Sequence, residues 1–370
     1  MGAINPAHIP ISATVIDSTT AMLIEMLIEK DKNLKEFTTF KIGGPAQFFC
    51  SVKNEADLVT AVAYAKEHKL EIFILGGGSN ILIRDKGFAG LVIKMEIMGM
   101  KFAEGIESVE GNDGITRATV LAGESWDGFV REVVARGLFG VETLSYIPGT
   151  VGAAPVQNIG AYGSEVKDTV ESVRVFDIVE NTFKDFSHTQ CEFEYRSSIF
   201  KREVGRYIIV SVVFALKKNG KVSIAYKDLK EFFTQKGNTE PTLAEVRDAV
   251  IEIRTRKLPD VALVGTAGSF FKNPIITREH ADTLKKGYAD LPVYPVDESF
   301  VKVSLAWVID HICNYKGISK GNVGTYKNQA LVLVNNGDAT AAEIISFAEE
   351  IKKVVKEKTN IDAEFEVQII

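Results

Sequence analysis

The sequence predicts an α+β protein of two or three domains. Three observations lead there. Stretches with helical spacing alternate with short apolar runs, Thr242/Glu245 and Thr340/Glu343 are spaced as capping boxes, and no internal repeat or low-complexity segment occurs. The 370 residues are 46% hydrophobic and 25% charged, which suits a globular chain with more than one core.

The elements follow in order. Residues 1–33 read as an N-terminal extension; within it, 17–30 has helical spacing, with Leu23, Ile24, Leu27 and Ile28 on one face. A first subdomain is expected over 34–96. It has a helix over 55–68 with Leu58, Val62 and Ala65 on one face, a strand over 71–75, and apolar runs at 81–83 and 91–94. A second is expected over 97–238, with a strand at 116–121, a helix at 125–135 and strands at 170–179 and 207–216. Between its helix and the later strands, 144–163 is rich in Gly, Pro, Ala and Asn and has neither period; a long irregular stretch of this kind is typical of a binding loop. A third domain is expected over 239–350, with a capped helix to about 256, a short strand at 269–271, a helix at 305–314, a strand at 329–335 and a second capped helix from 340 to 357. Residues 351–370 finish that helix and add an alternating strand, 364–370.

Composition excludes several functions. Lys+Arg is 43 and Asp+Glu 49, a net charge of −6 that argues against nucleic-acid or anionic-membrane partners. Cys50, Cys191 and Cys313 are scattered, and no two of the five His are spaced as a metal pair on a helix, so neither a disulfide framework nor a metal site is expected. No apolar run reaches the ~20 residues of a membrane helix. MGAINPAHIP lacks a signal peptide's basic and apolar regions, and Pro6 stands where N-myristoylation needs Ser or Thr. A cytoplasmic monomer is expected. Thirty glycines are the surplus, pointing to a borrowed cofactor or to oxygen and guanidinium chemistry.

Gly76-Gly77-Gly78-Ser79-Asn80 follows a strand, but Ile81 replaces the last glycine of a dinucleotide fingerprint and no Gly-Lys-Ser/Thr follows. Consecutive glycines can still build an amide nest for a phosphate, the alternative being a plain β-turn. Pro148-Gly149-Thr150-Val151-Gly152-Ala153-Ala154-Pro155 and Gln157-Asn158-Ile159-Gly160-Ala161-Tyr162-Gly163 carry small side chains that admit a flat ligand, with Gln157, Asn158 and Tyr162 able to orient it; a packed structural loop is the alternative.

These loops, in this order, resemble those of the UDP-N-acetylenolpyruvoylglucosamine reductases (MurB family). Further likeness lies in Thr39-Phe40-Lys41-Ile42-Gly43-Gly44, in Tyr195-Arg196-Ser197-Ser198-Ile199-Phe200, in Lys257-Leu258-Pro259, in Gly268-Ser269-Phe270-Phe271-Lys272-Asn273-Pro274 and in Glu364-Phe365-Glu366-Val367. The resemblance implies a vanillyl-alcohol-oxidase/PCMH-type FAD-binding fold in two α+β subdomains plus a C-terminal α+β substrate-binding domain. It implies non-covalent FAD, NADPH as reductant, and reduction of UDP-N-acetylglucosamine enolpyruvate to UDP-N-acetylmuramate, with hydride passing from flavin N5 to C3. The implied cofactor contacts are Ile42, Gly76, Gly77, Gly78, Ser79, Asn80, Pro148, Gly149, Thr150, Gly152, Ala153, Ala154, Ile159, Gly160 and Tyr162.

By the same resemblance, Ser269 gives a proton to C2, where a hydroxyl can serve because it faces a strongly basic carbanion. Arg196 and a protonated Glu366 face the substrate carboxylate. Tyr226, as in type I members, packs over the substrate or else merely starts a helix. Lys257 and Asn273 contact substrate or NADPH, although Lys257 could equally complement a helix C-terminus. Ala153-Ala154, His311 and Gln368 depart from the family pattern. The competing readings are an O₂-using flavin oxidase and a non-catalytic flavin- or nucleotide-sugar-binding protein.

Overall fold

A computed structural model of the chain describes residues 28–104 and 114–370. Most of the helix expected over 17–30 lies outside them; of its last positions, Glu29 and Lys30 belong to a strand, β1 (Glu29–Asn33). Its antiparallel pairing with β2 (Pro45–Val52) fixes it as extended chain.

The first layer contains β1, β2, β3 (Glu71–Leu75) and β5 (Phe88–Met95), in the order β1-β2-β5-β3, with β2, β5 and β3 parallel. The helix Glu55–Glu67 makes the crossover that parallel strands require, and Asn54 caps it by accepting from the Asp57 amide. β4 (Ile81–Leu82) follows the glycine loop.

The second layer is antiparallel. β6 (Met100–Glu104) and β7 (Ile115–Leu121) are joined, past the short hairpin β8 (Gly160–Ala161) and β9 (Ser164–Glu165), by β10 (Val170–Asp177), β11 (Thr182–Ser187) and β12 (Tyr207–Lys217), in the order β11-β10-β12-β7-β6. The helix Trp126–Ala135 lays Trp126, Phe129, Val130 and Val133 on this sheet, with Phe129 and Phe214 rings 4.6 Å apart. A continuous core fills both layers.

The helices Lys227–Gln235 and Leu243–Lys257 share a small core of their own, including Leu229, Phe233, Val246 and Val250. The second carries the expected capping box. It is fastened to the second layer, because Arg247 donates to both oxygens of Asp127 at 2.7 and 2.8 Å. The expected third domain starts at 239, whereas in the structure the separate C-terminal core begins after this helix.

That core gathers Phe270, Phe271, Leu305, Leu333 and Phe347 with Phe40, Ile42 and Leu82 of the first subdomain. It is built on β13 (Ile275–Thr277), β14 (Val293–Pro295) and β15 (Phe300–Val303), on β16 (Ser319–Lys320), β17 (Val323–Tyr326) and β18 (Gln329–Asn335), and on the helices Arg278–Gly287 and Ala341–Thr359. Three elements differ from expectation. The helix at 305–314 opens as Leu305–Trp307 and widens into a π turn, Val308–Ile312. Residues 269–271 form isolated bridges, Ser269 with Val332 and Phe271 with Phe365, because neighbouring backbone meets them at single positions. The terminal alternation pairs as a strand at β19 (Gln368–Ile369), since its partner, the parallel β4, is itself two residues long.

Candidate active site

The two small-residue loops meet backbone to backbone. A Cβ on Gly77 would lie 2.7 Å from Gly149 Cα, and one on Gly78, where φ is +61°, would lie 1.9 Å from the Phe37 carbonyl oxygen. Ser79 Oγ donates to the Pro148 carbonyl at 3.0 Å, and Asn80 Nδ2 donates to Gln157 Oε1 at 2.6 Å. Lys94 donates to the Gly76 carbonyl. The amides of Gly77, Gly78 and Ser79 meet no hydrogen-bond acceptor among the described residues. Three free amides on a glycine turn form an anion cradle that needs no helix terminus, and this is the observation by which the loop fits the diphosphate of FAD.

From this cradle runs a cavity of about 690 Å³. Gly76, Gly77, Gly78, Ser79, Asn80, Pro148, Gly149, Thr150, Gly152, Ala153, Ala154, Ile159, Gly160 and Tyr162 all line it, as does Gln368. Ile42 does not. Its side chain is buried in the C-terminal core, and its carbonyl accepts from Thr38 Oγ1 at 2.8 Å, so it anchors the segment whose Thr39 amide holds the Gly78 carbonyl.

Ser269, Arg196 and Glu366 line the same space. Tyr195 and Arg196 form a two-residue turn closed by Glu194 and Ser197, and Arg196 takes φ +54°. Its guanidinium donates to the Gly160 carbonyl at 2.8 Å, to the Asn158 carbonyl at 3.3 Å and to Glu366 Oε1 at 3.2 Å. The Glu366 amide donates to the Phe270 carbonyl, which brings Glu366 beside the Ser269 segment. Burial pushes the Glu366 carboxyl above its ordinary range, against the pull of Arg196 and Lys201.

Tyr226 and Lys257 also reach the cavity. Tyr226 sits edge-on to Tyr162, ring centroids 5.4 Å apart, and Lys257 donates to Asp228 at 2.7 Å. Tyr226 is also the N-cap of its helix and Lys257 the last residue of its own, so both structural alternatives are realised together with cavity exposure. Asn273 does not line the cavity. Its Oδ1 accepts from the Leu305 amide at 3.0 Å, so it holds a turn, and it lies close enough to Tyr195, beside Arg196, to draw that hydroxyl's pKa down against burial. His311 stacks on Trp307 at 4.6 Å and stands outside the cavity. Asn158 is buried and supports the loop through Glu165 and the Glu194 carbonyl.

Sequence reasoning missed Lys201, Gln329 and Arg254, which line the cavity. Lys201 Nζ donates to the Arg196 carbonyl at 3.1 Å, and Arg254 Nε donates to the Tyr146 carbonyl at 3.1 Å. The available signals were positional: Lys201 lies five residues beyond Arg196, and Arg254 one helical turn before Lys257. Among the described residues no His, Cys, Asp or Glu cluster could hold a metal ion, and no helix is long and apolar enough to cross a membrane.

Two family models match the chain. "FAD binding domain" covers 46–182, and "UDP-N-acetylenolpyruvoylglucosamine reductase, C-terminal domain" covers 259–370. The chain is 38% identical over 343 residues to the UDP-N-acetylenolpyruvoylglucosamine reductase of Pseudomonas fluorescens, covering 93% of this chain and 99% of that one. It is 43% identical over 325 residues to the enzyme so named from Neisseria gonorrhoeae, covering 87% and 92%. The crystal structure of the reductase (MurB) from Thermus caldophilus shares the fold, with a TM-score of 0.61 at 24% identity over 92% of this chain and 97% of that one. The fold is thus the FAD-binding fold in two α+β subdomains with a C-terminal α+β domain.

Proposed function

The chain belongs to the UDP-N-acetylenolpyruvoylglucosamine reductase family, and on that premise we propose that it reduces UDP-N-acetylglucosamine enolpyruvate to UDP-N-acetylmuramate, a step of peptidoglycan precursor synthesis, with NADPH as reductant. In this reading it is a cytoplasmic, monomeric UDP-N-acetylmuramate dehydrogenase. The two N-terminal subdomains hold the cofactor, the C-terminal domain closes over the nucleotide-sugar, and residues 351–370 bring Glu366 to the reacting end. Non-covalent FAD, bound in the cradle, supplies hydride transfer between NADPH and C3 of the enolpyruvyl group.

The chain's own groups do the rest. As C3 gains hydride, negative charge gathers on C2 and the adjoining carboxylate. The Arg196 fork is fixed by two carbonyls and stabilises those oxygens without reorganising. Burial raises the Glu366 carboxyl, and in this reading it carries a proton and donates a hydrogen bond to the same carboxylate. Ser269 delivers the proton to C2 and recovers one from solvent. Lys257 offers a cation, and Tyr226 a ring, to the nucleotide-sugar. Asn273 acts at one remove, through Tyr195.

The observation that carries this reading is the meeting of Ser269, Arg196 and Glu366 on a cavity that continues into the glycine cradle. An anaerobic titration tests it. NADPH should bleach the flavin absorbance, and the enolpyruvyl substrate should then restore it; bleaching without recovery would overturn the assignment.

A further inference from the structure

The turn that presents Arg196 is held in a costly conformation. Arg196 is the second central residue of a two-residue turn whose flanking amides and carbonyls, those of Glu194 and Ser197, bond each other at 3.0 and 3.2 Å. A φ of +54° at that position is one that turns normally give to glycine, and a side chain there costs about 1 kcal/mol. The turn therefore needs outside support. Its guanidinium finds the carbonyls of Asn158 and Gly160, and its own carbonyl accepts from Lys201 Nζ at 3.1 Å. Lys201 comes from the short helix Ile199–Arg202 and lines the cavity beside Arg196 and Glu366.

We propose that Lys201 is a positioning residue for the reaction: its ammonium holds the Arg196 carbonyl, keeps Arg196 in its left-handed conformation, and so aims the guanidinium at the substrate carboxylate. The inference rests on the function proposed above. Lys201 has a second effect on the same site. The groups bearing on Glu366 are Arg196, Lys201 and Lys272 as cations, with Tyr195 close by. All three cations draw the carboxyl down, against the burial that pushes it up, so Lys201 also helps to set the pH at which Glu366 loses its proton. Lys201 is half-buried itself, and burial lowers its own value.

The test is stopped-flow reoxidation of the NADPH-reduced holoenzyme by the enolpyruvyl substrate, as a function of pH, for the native protein, Lys201→Met and Lys201→Arg. Lys201→Met should slow reoxidation about tenfold and move the alkaline limb of the profile to higher pH, because Glu366 has lost a cation. Lys201→Arg, which keeps a charged donor, should restore most of the rate and the native limb. Retained FAD absorbance shows that each variant is folded. If Lys201→Met reoxidises within twofold of native, or slows with its profile unmoved, the inference fails. If Lys201→Met cannot be purified with FAD, Lys201→Arg decides: a rate as low as background overturns the role given to the cation. If the native protein itself is not reoxidised by the substrate, the functional reading fails instead.

Discussion

The carboxamide of Asn80 donates to that of Gln157 at 2.6 Å, joining two loops that lie 77 residues apart. The same Asn80 nitrogen lies 3.3 Å from the Glu366 carbonyl oxygen, so one side chain touches the cofactor cradle and the segment that carries the proposed acid. Removing it should loosen both. Asn80→Ala loses a net hydrogen bond of about 1 kcal/mol, which is roughly a fivefold weakening of FAD binding. Fluorescence titration of the apoprotein with FAD measures it; an unchanged affinity would mean that the loops hold together without this bond.

Gly77 should tolerate no side chain. Gly77→Ala sets a methyl 2.7 Å from Gly149 Cα, where the obstacle is backbone, so the loops must part. The expected product is a folded protein purified without flavin. Gly137 is the control: its φ is +69° but nothing lies within 4 Å of an added Cβ, so Gly137→Ala costs only the strain of about 1 kcal/mol. Normal FAD content in Gly77→Ala would contradict the close approach.

Ser269→Ala should separate the half-reactions. NADPH should bleach its flavin at the native rate, because no proton to C2 is involved, while reoxidation by the enolpyruvyl substrate should fall by at least about 10²-fold, the usual scale of a lost proton donor. Native rates in both halves would remove Ser269 from the chemistry.

Glu366 acts protonated in this reading, and burial raises its pKa. Activity should therefore hold below its folded value and fall as the pH rises through it. Glu366→Gln keeps a neutral donor that cannot ionise, so this variant should lose the alkaline fall while keeping part of the rate. Rate–pH profiles from about pH 5 to 9 show which occurs. A native profile flat over that range, with chemistry rate-limiting, would count against the assignment.

Asp127 gives a prediction about stability. Burial would raise its carboxyl, but the Arg247 fork, the Tyr146 amide and Arg131 outweigh burial and hold it below 3.8. A depressed carboxyl contributes stability above its unfolded value and loses it as the pH falls through the folded one. Arg247→Met should cost about 2 kcal/mol near pH 7, less than a fully buried pair would, and the deficit should shrink below about pH 4. Urea unfolding of the holoprotein at both ends of that range decides it; a deficit independent of pH would mean that only packing was lost.

The meeting of the two small-residue loops was legible because glycine reports backbone. Gly77 and Gly78 stand where chain meets chain, and a Cβ on either would strike backbone. The capping boxes at Thr242 and Thr340 were equally plain, since their chemistry is local. The reacting end was not readable in that way. Arg196 and Glu366 are 170 residues apart, and no spacing rule joins them; family resemblance alone put them together. A motif also names residues without saying which way they face. Ser269 and Asn273 share one string, yet Ser269 opens to the cavity while Asn273 turns to the Leu305 amide. Lys201 and Lys94 act through backbone carbonyls of partners already in view, a kind of contact with no sequence signature.

The parallel pairing of β19 with β4 also sets an order of events during synthesis. Gly163, the end of the second cradle loop, leaves the ribosome 203 residues ahead of Glu366. At about 5–20 residues per second that is an interval of roughly 10–40 s, in which an N-terminal unit can fold. Arg196, made 33 residues after Gly163, waits the remaining 170 for its carboxylate partner. The glycine loop thus waits for its last supports, because Ile42 packs in the C-terminal core and Asn80 bonds the Glu366 carbonyl, and both partners are made at the end of synthesis.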